Sequence, residues 1–174
     1  MHFDLNHVTR HPRDLVFATH RDHIEALAAY LPDVERIEVR GRSRHADGRE
    51  VQTQWWVGST SALPLLLRPM VPAHLLQWQQ TTTWDPAAWT ASWEIEVPGL
   101  GAAVSARGKH TYERDPAGCR IALEGDFAFR PDRVPQLAQV PAAAIPVVER
   151  AVVSIVLPMI ERTGEAVGRY LDDR

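Results

Sequence analysis

Two pairs of polar residues with hydrogen-bonding or acid–base capacity occur at a spacing of two: His110 with Tyr112, and Gln80 with Thr82. Residues two apart lie on the same face of a strand, so the members of each pair can point into one space. An imidazole can give or take a proton near neutral pH, and the other groups can orient a bound molecule. The spacing therefore indicates either a polar site in an apolar pocket, or a histidine that bonds a neighbour without further chemistry.

Tryptophans are concentrated in the same part of the chain. Four of the six lie within residues 77–99. They are Trp78, Trp84, Trp89 and Trp93. Alternation in the predicted strands 75–84 and 88–97 places all four on the apolar face of their strand. A base-stacking platform needs interleaved Arg or Lys, which this stretch lacks. We therefore expect the tryptophans to fill a core or to enclose a cavity.

No motif for a metal, a cofactor or a catalytic nucleophile is complete. His20 with His23, and His7 with His11, have the spacing of chelating pairs, but no carboxylate or cysteine pattern completes a site. The Gly-x-Gly at 99–101 precedes a predicted strand rather than a helix, which argues against dinucleotide binding. Gly-x-Ser-x-Gly, Walker and His-Glu-x-x-His motifs are absent. The sequence predicts neither a metal nor a cofactor.

Bulk composition limits the classes of partner. The chain has 174 residues, 45% of them hydrophobic and 24% charged, with a net charge of −3. This size and composition predict a single domain over residues 1–174. A mildly acidic chain has no overall field to attract nucleic acid, so we expect no nucleic-acid partner.

Cysteine content and hydropathy predict a cytoplasmic protein. Cys119 is the only cysteine, so no intramolecular disulfide can form, and we expect it to be buried. The longest apolar stretch, around Arg68, is interrupted by that charge and by prolines. It falls far short of the roughly 20 clean residues that a membrane span needs. Transient membrane contact and homodimerisation stay open.

Hydrophobic periodicity predicts the elements that position these residues. The predicted strands span residues 2–9, 34–44, 49–58, 75–84, 88–97, 102–114 and 118–129. One broken helix or two short ones lie between Pro12 and Pro32, and a long amphipathic helix with Pro158 in its interior ends the chain. In the strand 49–58, alternation favours an inward Trp55 and an outward Trp56.

This order of elements predicts an α+β domain, because curling the sheet around the last helix buries both apolar faces. The order resembles the helix-grip fold of the START and Bet v 1-like superfamily, which includes polyketide cyclases and lipid-transfer proteins. The resemblance covers nearly the whole chain. It implies a curved antiparallel sheet of six to seven strands wrapped around a long C-terminal helix, with a hydrophobic cavity between them. The connection at 62–74 is expected near its mouth.

The leading hypothesis is that the protein binds a small hydrophobic or aromatic molecule, lipid-like or polyketide-like, in that cavity. The predicted ligand-binding residues are Trp78, Gln80, Thr82, Trp93, His110, Tyr112, Phe127, Val152, Val156 and Met159. A second hypothesis is a cyclase or dehydratase that uses His110 and Tyr112 as acid and base. A third is a non-catalytic interaction or stress-related module with a filled core. A cavity above roughly 300 Å³ would favour the first two.

Overall fold

A computed structural model describes residues 1–63, 65, 68, 73–134 and 142–174 of the chain. Within these ranges it leaves out the side chains of 62, 75, 144, 147–149, 151, 152, 154, 155 and 157. The strands are β1 (His2–Thr9), β2 (Val34–Arg44), β3 (Glu50–Gly58), β4 (Gln77–Asp85), β5 (Thr90–Glu96), β6 (Val104–Asp115) and β7 (Gly118–Phe129). The α-helices are α1 (Arg13–Asp22) and α2 (Ile145–Asp172). Short 3-10 helices cover Ala26–Tyr30, Thr60–Ala62, Ala73–Leu76, Gly101–Ala103, Pro131–Arg133 and Ala142–Ala144.

The strands form one seven-stranded sheet in the order β1-β7-β6-β5-β4-β3-β2. Every neighbouring pair is antiparallel. The sheet is curved, and α2 packs against its concave face through Ile160, Met159 and Val156. The predicted α+β helix-grip architecture is therefore confirmed.

The segment between β1 and β2 contains two short helices, as one of the two sequence interpretations predicted. Pro12 precedes the first turn of α1, and its carbonyl accepts the amide of Val16 at 3.0 Å. A proline suits this position because the first amides of a helix have no partner within the helix. The five-residue 3-10 helix Ala26–Tyr30 follows and ends before Pro32.

Four polar contacts fasten the C-terminal half of α2 to the beginning of the chain. They are Arg162–Asp33, Arg10–Asp172, His11–Asp172 and Tyr30–Asp173. The helix runs through Pro158 without ending there, as the periodicity predicted. This half of α2 is consequently held against α1, the following 3-10 helix and β1.

The start of β5 lies two residues later than predicted because residues 86–89 form a turn. The Asp85 carboxylate accepts the amides of Ala87 and Ala88 at 3.0 Å each. Trp89 then adopts a left-handed φ of 56°. It therefore lies in the turn and not on the apolar face of the strand, but its ring still packs edge-on against Phe17.

The prediction for the faces of β3 is wrong. Trp56 points to the concave side, is 3% exposed and stacks on Trp78 at a centroid distance of 5.7 Å. Trp55 lies on the convex side, where the Arg40 guanidinium sits 4.3 Å from its ring centroid. The sequence argument failed because the residues on the same face as Trp56 are polar, and their side chains become compatible with burial only through hydrogen bonds with one another.

Candidate functional site

The concave face of β4, β5 and β6 brings several of the predicted residues together. On the β5–β6 ladder, Ala91 is opposite His110, and on the β4–β5 ladder it is opposite Trp84. The next inward position of β5 is Trp93, whose ring centroid lies 6.3 Å from that of His110. Ala91 is the smallest side chain of this group, so it lets the larger neighbours approach each other over the sheet.

His20 of α1 contacts this group from above and was missed as a site residue by the sequence analysis. Its ring centroid lies 5.2 Å from that of His110 and 5.2 Å from that of Trp84. It is 3% exposed and shares the buried face of α1 with Val16 and Phe17. That spacing of three and four residues is the signal that could have assigned His20 to the interior.

A short hydrogen bond joins His20 to Tyr112. The Tyr112 hydroxyl lies 2.6 Å from Nδ1 of His20, and both residues are buried. The phenol is the stronger proton donor of the two neutral groups, so it donates and Nδ1 accepts. This bond places the His20 proton on Nε2.

Burial keeps the two histidines neutral. It lowers the pKa of His110 to about 4. Burial and the neighbouring His110 together lower the pKa of His20 well below its ordinary range. Burial also raises the pKa of Tyr112 well above its ordinary value, so the phenol keeps its proton. Near neutral pH the group therefore consists of two free imidazoles and a phenol.

His110 presents the acid–base atom of this group. Its Nε2 is buried and has no hydrogen-bond partner among the described residues. Tyr112 does not bond His110, because its hydroxyl is directed to His20. An unpartnered nitrogen on a neutral imidazole can accept or donate a hydrogen bond according to its tautomer. Chemically, this atom could take up a proton from a bound molecule or orient it.

A second polar group runs along β3 and is named here the glutamine ladder: Glu50, Gln52, Gln54 and Trp56. The Trp56 indole donates to Gln54 Oε1, Gln54 Nε2 donates to Gln52 Oε1, and Gln52 Nε2 donates to Glu50 Oε1. Gln52 and Gln54 are 0% and 1% exposed. Gln52 also donates to the Arg21 carbonyl at the end of α1.

Glu50 determines the direction of the ladder. A carboxylate only accepts, so Gln52 must turn its amide nitrogen towards Glu50 and its oxygen towards Gln54. The same constraint then passes from Gln54 to Trp56. Arg42 and Arg44 bond the carboxylate at 3.4 and 3.1 Å and offset its charge. The ladder is therefore a satisfied buried network, which explains how polar residues occupy the inward face of β3.

Replacing Gln52 by leucine should destabilise the protein by about 2 kcal/mol. The change removes the acceptor for Gln54 and the donor for Glu50 and Arg21, so buried polar groups lose their partners. Urea denaturation should record the change as a lower midpoint. Gln79→Leu on the outer face of β4 is the matched control and should shift stability by less than about 0.5 kcal/mol. Equal midpoints for the two variants would contradict the role given to the ladder.

Three tryptophans place unpaired donors in the interior. Nε1 of Trp78, Trp84 and Trp93 is buried and has no acceptor within the described part of the chain. An indole nitrogen can only donate, and leaving such a group buried and unpaired costs about 1–3 kcal/mol. Trp56 differs, since its indole bonds Gln54. A purely apolar core would not contain these groups.

The other predicted site residues divide between an apolar wall and a polar pair. Trp93, Phe127, Val156 and Met159 belong to one apolar cluster, in which Trp93 stacks on Phe3. Gln80 donates to Thr82 on the same strand at 3.2 Å. The side chain of Val152 lies outside the described residues, as do seven positions of the connection 62–74, namely 64, 66, 67 and 69–72.

Two surface grooves have linings that fall within the described residues. One, of about 400 Å³, lies on the convex face and includes Thr81, Ser92 and Lys109. The other, of about 460 Å³, lies beside Arg13 and Arg114. Neither is between the sheet and α2, so the predicted interior cavity stays a prediction.

The two histidines considered as a chelating pair diverge. His20 points into the interior, whereas His23 stacks on Tyr170 at a centroid distance of 5.8 Å. Within the described ranges, no three His, Cys, Asp or Glu side chains are arranged to hold a metal ion. Nor does the described part of the chain contain a helix that is both long and apolar enough to cross a membrane.

Solved structures share this architecture at low sequence identity. TTHA0849 from Thermus thermophilus has 17% identity and a TM-score of 0.62, and the match covers 96% of this chain and 97% of that one. Zhui aromatase/cyclase from Streptomyces sp. R1128 has 17% identity and a TM-score of 0.58, with 98% and 95% covered. Ara h 8.0201 has 14% identity and a TM-score of 0.56, with 100% and 99% covered.

These likenesses establish the START/Bet v 1-like fold. Among curated proteins, none matches the chain significantly in sequence. One family does match, over residues 5–130, and its description reads "Protein of unknown function (DUF2505)". The matched region includes every strand after the first residues of β1 and both histidines of the site. The chain belongs to the DUF2505 family.

Proposed function

We propose that the protein binds a small hydrophobic or aromatic molecule between the concave face of the sheet and α2. The observation that carries this proposal is the set of buried polar atoms without protein partners, on Trp78, Trp84, Trp93 and His110. They lie among aromatic and aliphatic side chains, and an apolar pocket with a few polar groups is the usual composition of a small-molecule site. A bound molecule would supply the missing hydrogen-bond partners.

Two further observations support the proposal. Zhui, which shares the fold, is an aromatase/cyclase by name, and such an enzyme must admit an organic substrate. Met159 packs against both apolar clusters of the interior, so it lies where the two parts of the concave face meet. We therefore place the ligand against Met159 and Val156 on one side and Trp93 on the other.

Titration of the purified protein with lipids, sterols and aromatic polyketides tests the proposal. We expect at least one class to quench tryptophan fluorescence at micromolar concentration, and native mass spectrometry should detect the complex. Met159→Trp should abolish binding by filling the space, whereas Val8→Trp, at a position 42% exposed, should not. Absence of binding by all three classes, or equal binding by both variants, would favour an interaction module with a filled core.

A second candidate function is a cyclase or dehydratase, which the unpartnered Nε2 of His110 favours. A neutral imidazole in an apolar site can remove a proton from carbon next to a carbonyl and return it to oxygen. Tyr112 would assist as an acid or would hold His20 beside His110.

His110→Gln should abolish turnover of a cyclisable polyketone and leave its binding within about twofold, because glutamine keeps the size and polarity of the side chain. Product analysis and a binding titration on the same protein separate the two effects. Tyr112→Phe tests the hydroxyl alone. Unchanged turnover in His110→Gln would exclude this enzymatic role.

A further inference from the structure

The buried donors and charges of the interior define the chemical class of ligand, and this inference rests on the proposed function. An indole nitrogen only donates a hydrogen bond. Trp78, Trp84 and Trp93 are 8%, 1% and 5% exposed, and their Nε1 atoms have no acceptor among the described residues. The unpaired interior groups are thus mainly donors, and their complement is an acceptor.

The interior offers no cation to an anionic ligand. Among the described residues, Glu50 is the only buried Asp, Glu, Lys or Arg. It is bonded by Gln52, Arg42 and Arg44, so no positive charge is left over on the concave face. A carboxylate or phosphate placed there would lose its hydration without gaining a counter-charge.

The donors are closest together around Ala91. Trp84 and His110 are its cross-strand neighbours on either side, and Trp93 is the next inward residue of the same strand. Trp78 lies at the other end of β4, stacked on Trp56. Two indole N–H groups and one imidazole therefore surround a single small side chain.

We infer that the ligand is an uncharged ring molecule with carbonyl or ether oxygens, which accept hydrogen bonds from the indoles of Trp84 and Trp93. An anionic lipid is disfavoured because no cation meets its head group. A pure hydrocarbon is disfavoured because it leaves the donors unpaired. Acceptor oxygens on an aromatic skeleton satisfy both the donors and the surrounding apolar wall.

Three probes of nearly equal size test this inference: methyl 2-naphthyl ketone, 2-naphthoate and 2-isopropylnaphthalene. The full-length, ¹⁵N-labelled protein gives one indole N–H signal for each tryptophan, assigned with single Trp→Phe variants. We expect the ketone to bind at least about tenfold more tightly than the naphthoate. The ketone should move the Nε1–H signal of Trp84 or Trp93 downfield, and the signals of Trp55 and Trp56 should not move.

Variants that remove the donor but keep a ring isolate the hydrogen bond. Trp84→Phe and Trp93→Phe should each weaken binding of the ketone, the affected one by about fivefold, without the same loss for the isopropyl probe. Trp55→Phe on the convex face is the control and should change neither affinity.

The outcomes separate the two levels of the hypothesis. If the naphthoate binds as tightly as the ketone, or the ketone binds without moving either indole signal, the ligand class inferred here is wrong and the binding function stands. If Trp84→Phe and Trp93→Phe weaken both neutral probes equally, the hydrogen bond is also refuted. If none of the probes binds, the proposed function fails together with this inference.

Discussion

Replacing Gly125 by alanine is expected to lower the free energy of unfolding by about 3 kcal/mol. A β-carbon at this position would lie 2.5 Å from Cζ of Phe3 and 2.5 Å from the carbonyl oxygen of Arg107. The Phe3 ring lies against the sheet here and stacks on Trp93 with an interplanar angle of 16°. Since one of the two contacts is with backbone, the added methyl group cannot be accommodated by a side-chain rotation alone.

Gly41→Ala is the matched control for this prediction. Gly41 is also a strand residue, but its nearest neighbour would be the β-carbon of Thr53 at 3.8 Å, an ordinary contact distance. Its substitution should be neutral or slightly stabilising, because alanine reduces the freedom of the unfolded chain. Urea denaturation of the two variants measures the difference. Similar midpoints for both would mean that Phe3 and the strand can shift to admit the methyl group.

The protein should lose about 3 kcal/mol of stability through His110 alone as the pH falls from about 6.5 to 4. Burial lowers the pKa of His110 in the folded protein to about 4, from an ordinary value of 6.5. In this interval the unfolded chain binds the proton and the folded chain does not, so acid favours unfolding. The contribution is fully present above pH 6.5. The lowered pKa of His20 adds to the loss in the same direction.

The test is the free energy of unfolding, measured between about pH 7 and pH 4.5. His110→Gln cannot titrate at this position, so its stability should fall less steeply over this interval than that of the natural sequence. His45→Gln, in the exposed hairpin turn, should keep the natural slope. Parallel curves for the natural protein and His110→Gln would show that His110 accepts a proton without a cost to the fold.

Alternation of apolar residues was sufficient to predict most of the sheet. It assigned Trp78, Trp84 and Trp93 to the interior correctly, since these strands have one apolar face and one polar face. The same rule failed in β3, because a one-residue alternation cannot distinguish buried glutamines from exposed ones. Only the neighbouring donors and acceptors make Gln52 and Gln54 compatible with burial, and those contacts are side-chain geometry that alternation does not encode.

The candidate site was predicted only in part for a related reason. His110 and Tyr112 follow from alternation within one strand, but the partner of Tyr112 comes from a helix 92 positions earlier in the chain. Local spacing identified His20 as half of a chelating pair, although its position between Phe17 and Ile24 on the apolar face of the segment indicated burial. Contacts between distant elements depend on how α1 crosses the sheet, which no local pattern specifies.

The order of the strands has a consequence for how the chain acquires its structure. β1 has β7 as its only neighbour in the sheet, and residues 2–9 pair with residues 119–126. The first strand to leave the ribosome must therefore wait for the last one, while the strands from β2 to β7 can pair with their neighbours in sequence. Such long-range closure is slow compared with hairpin formation. We expect β1 to dock late in folding and to be unpaired in any fragment that stops short of β7.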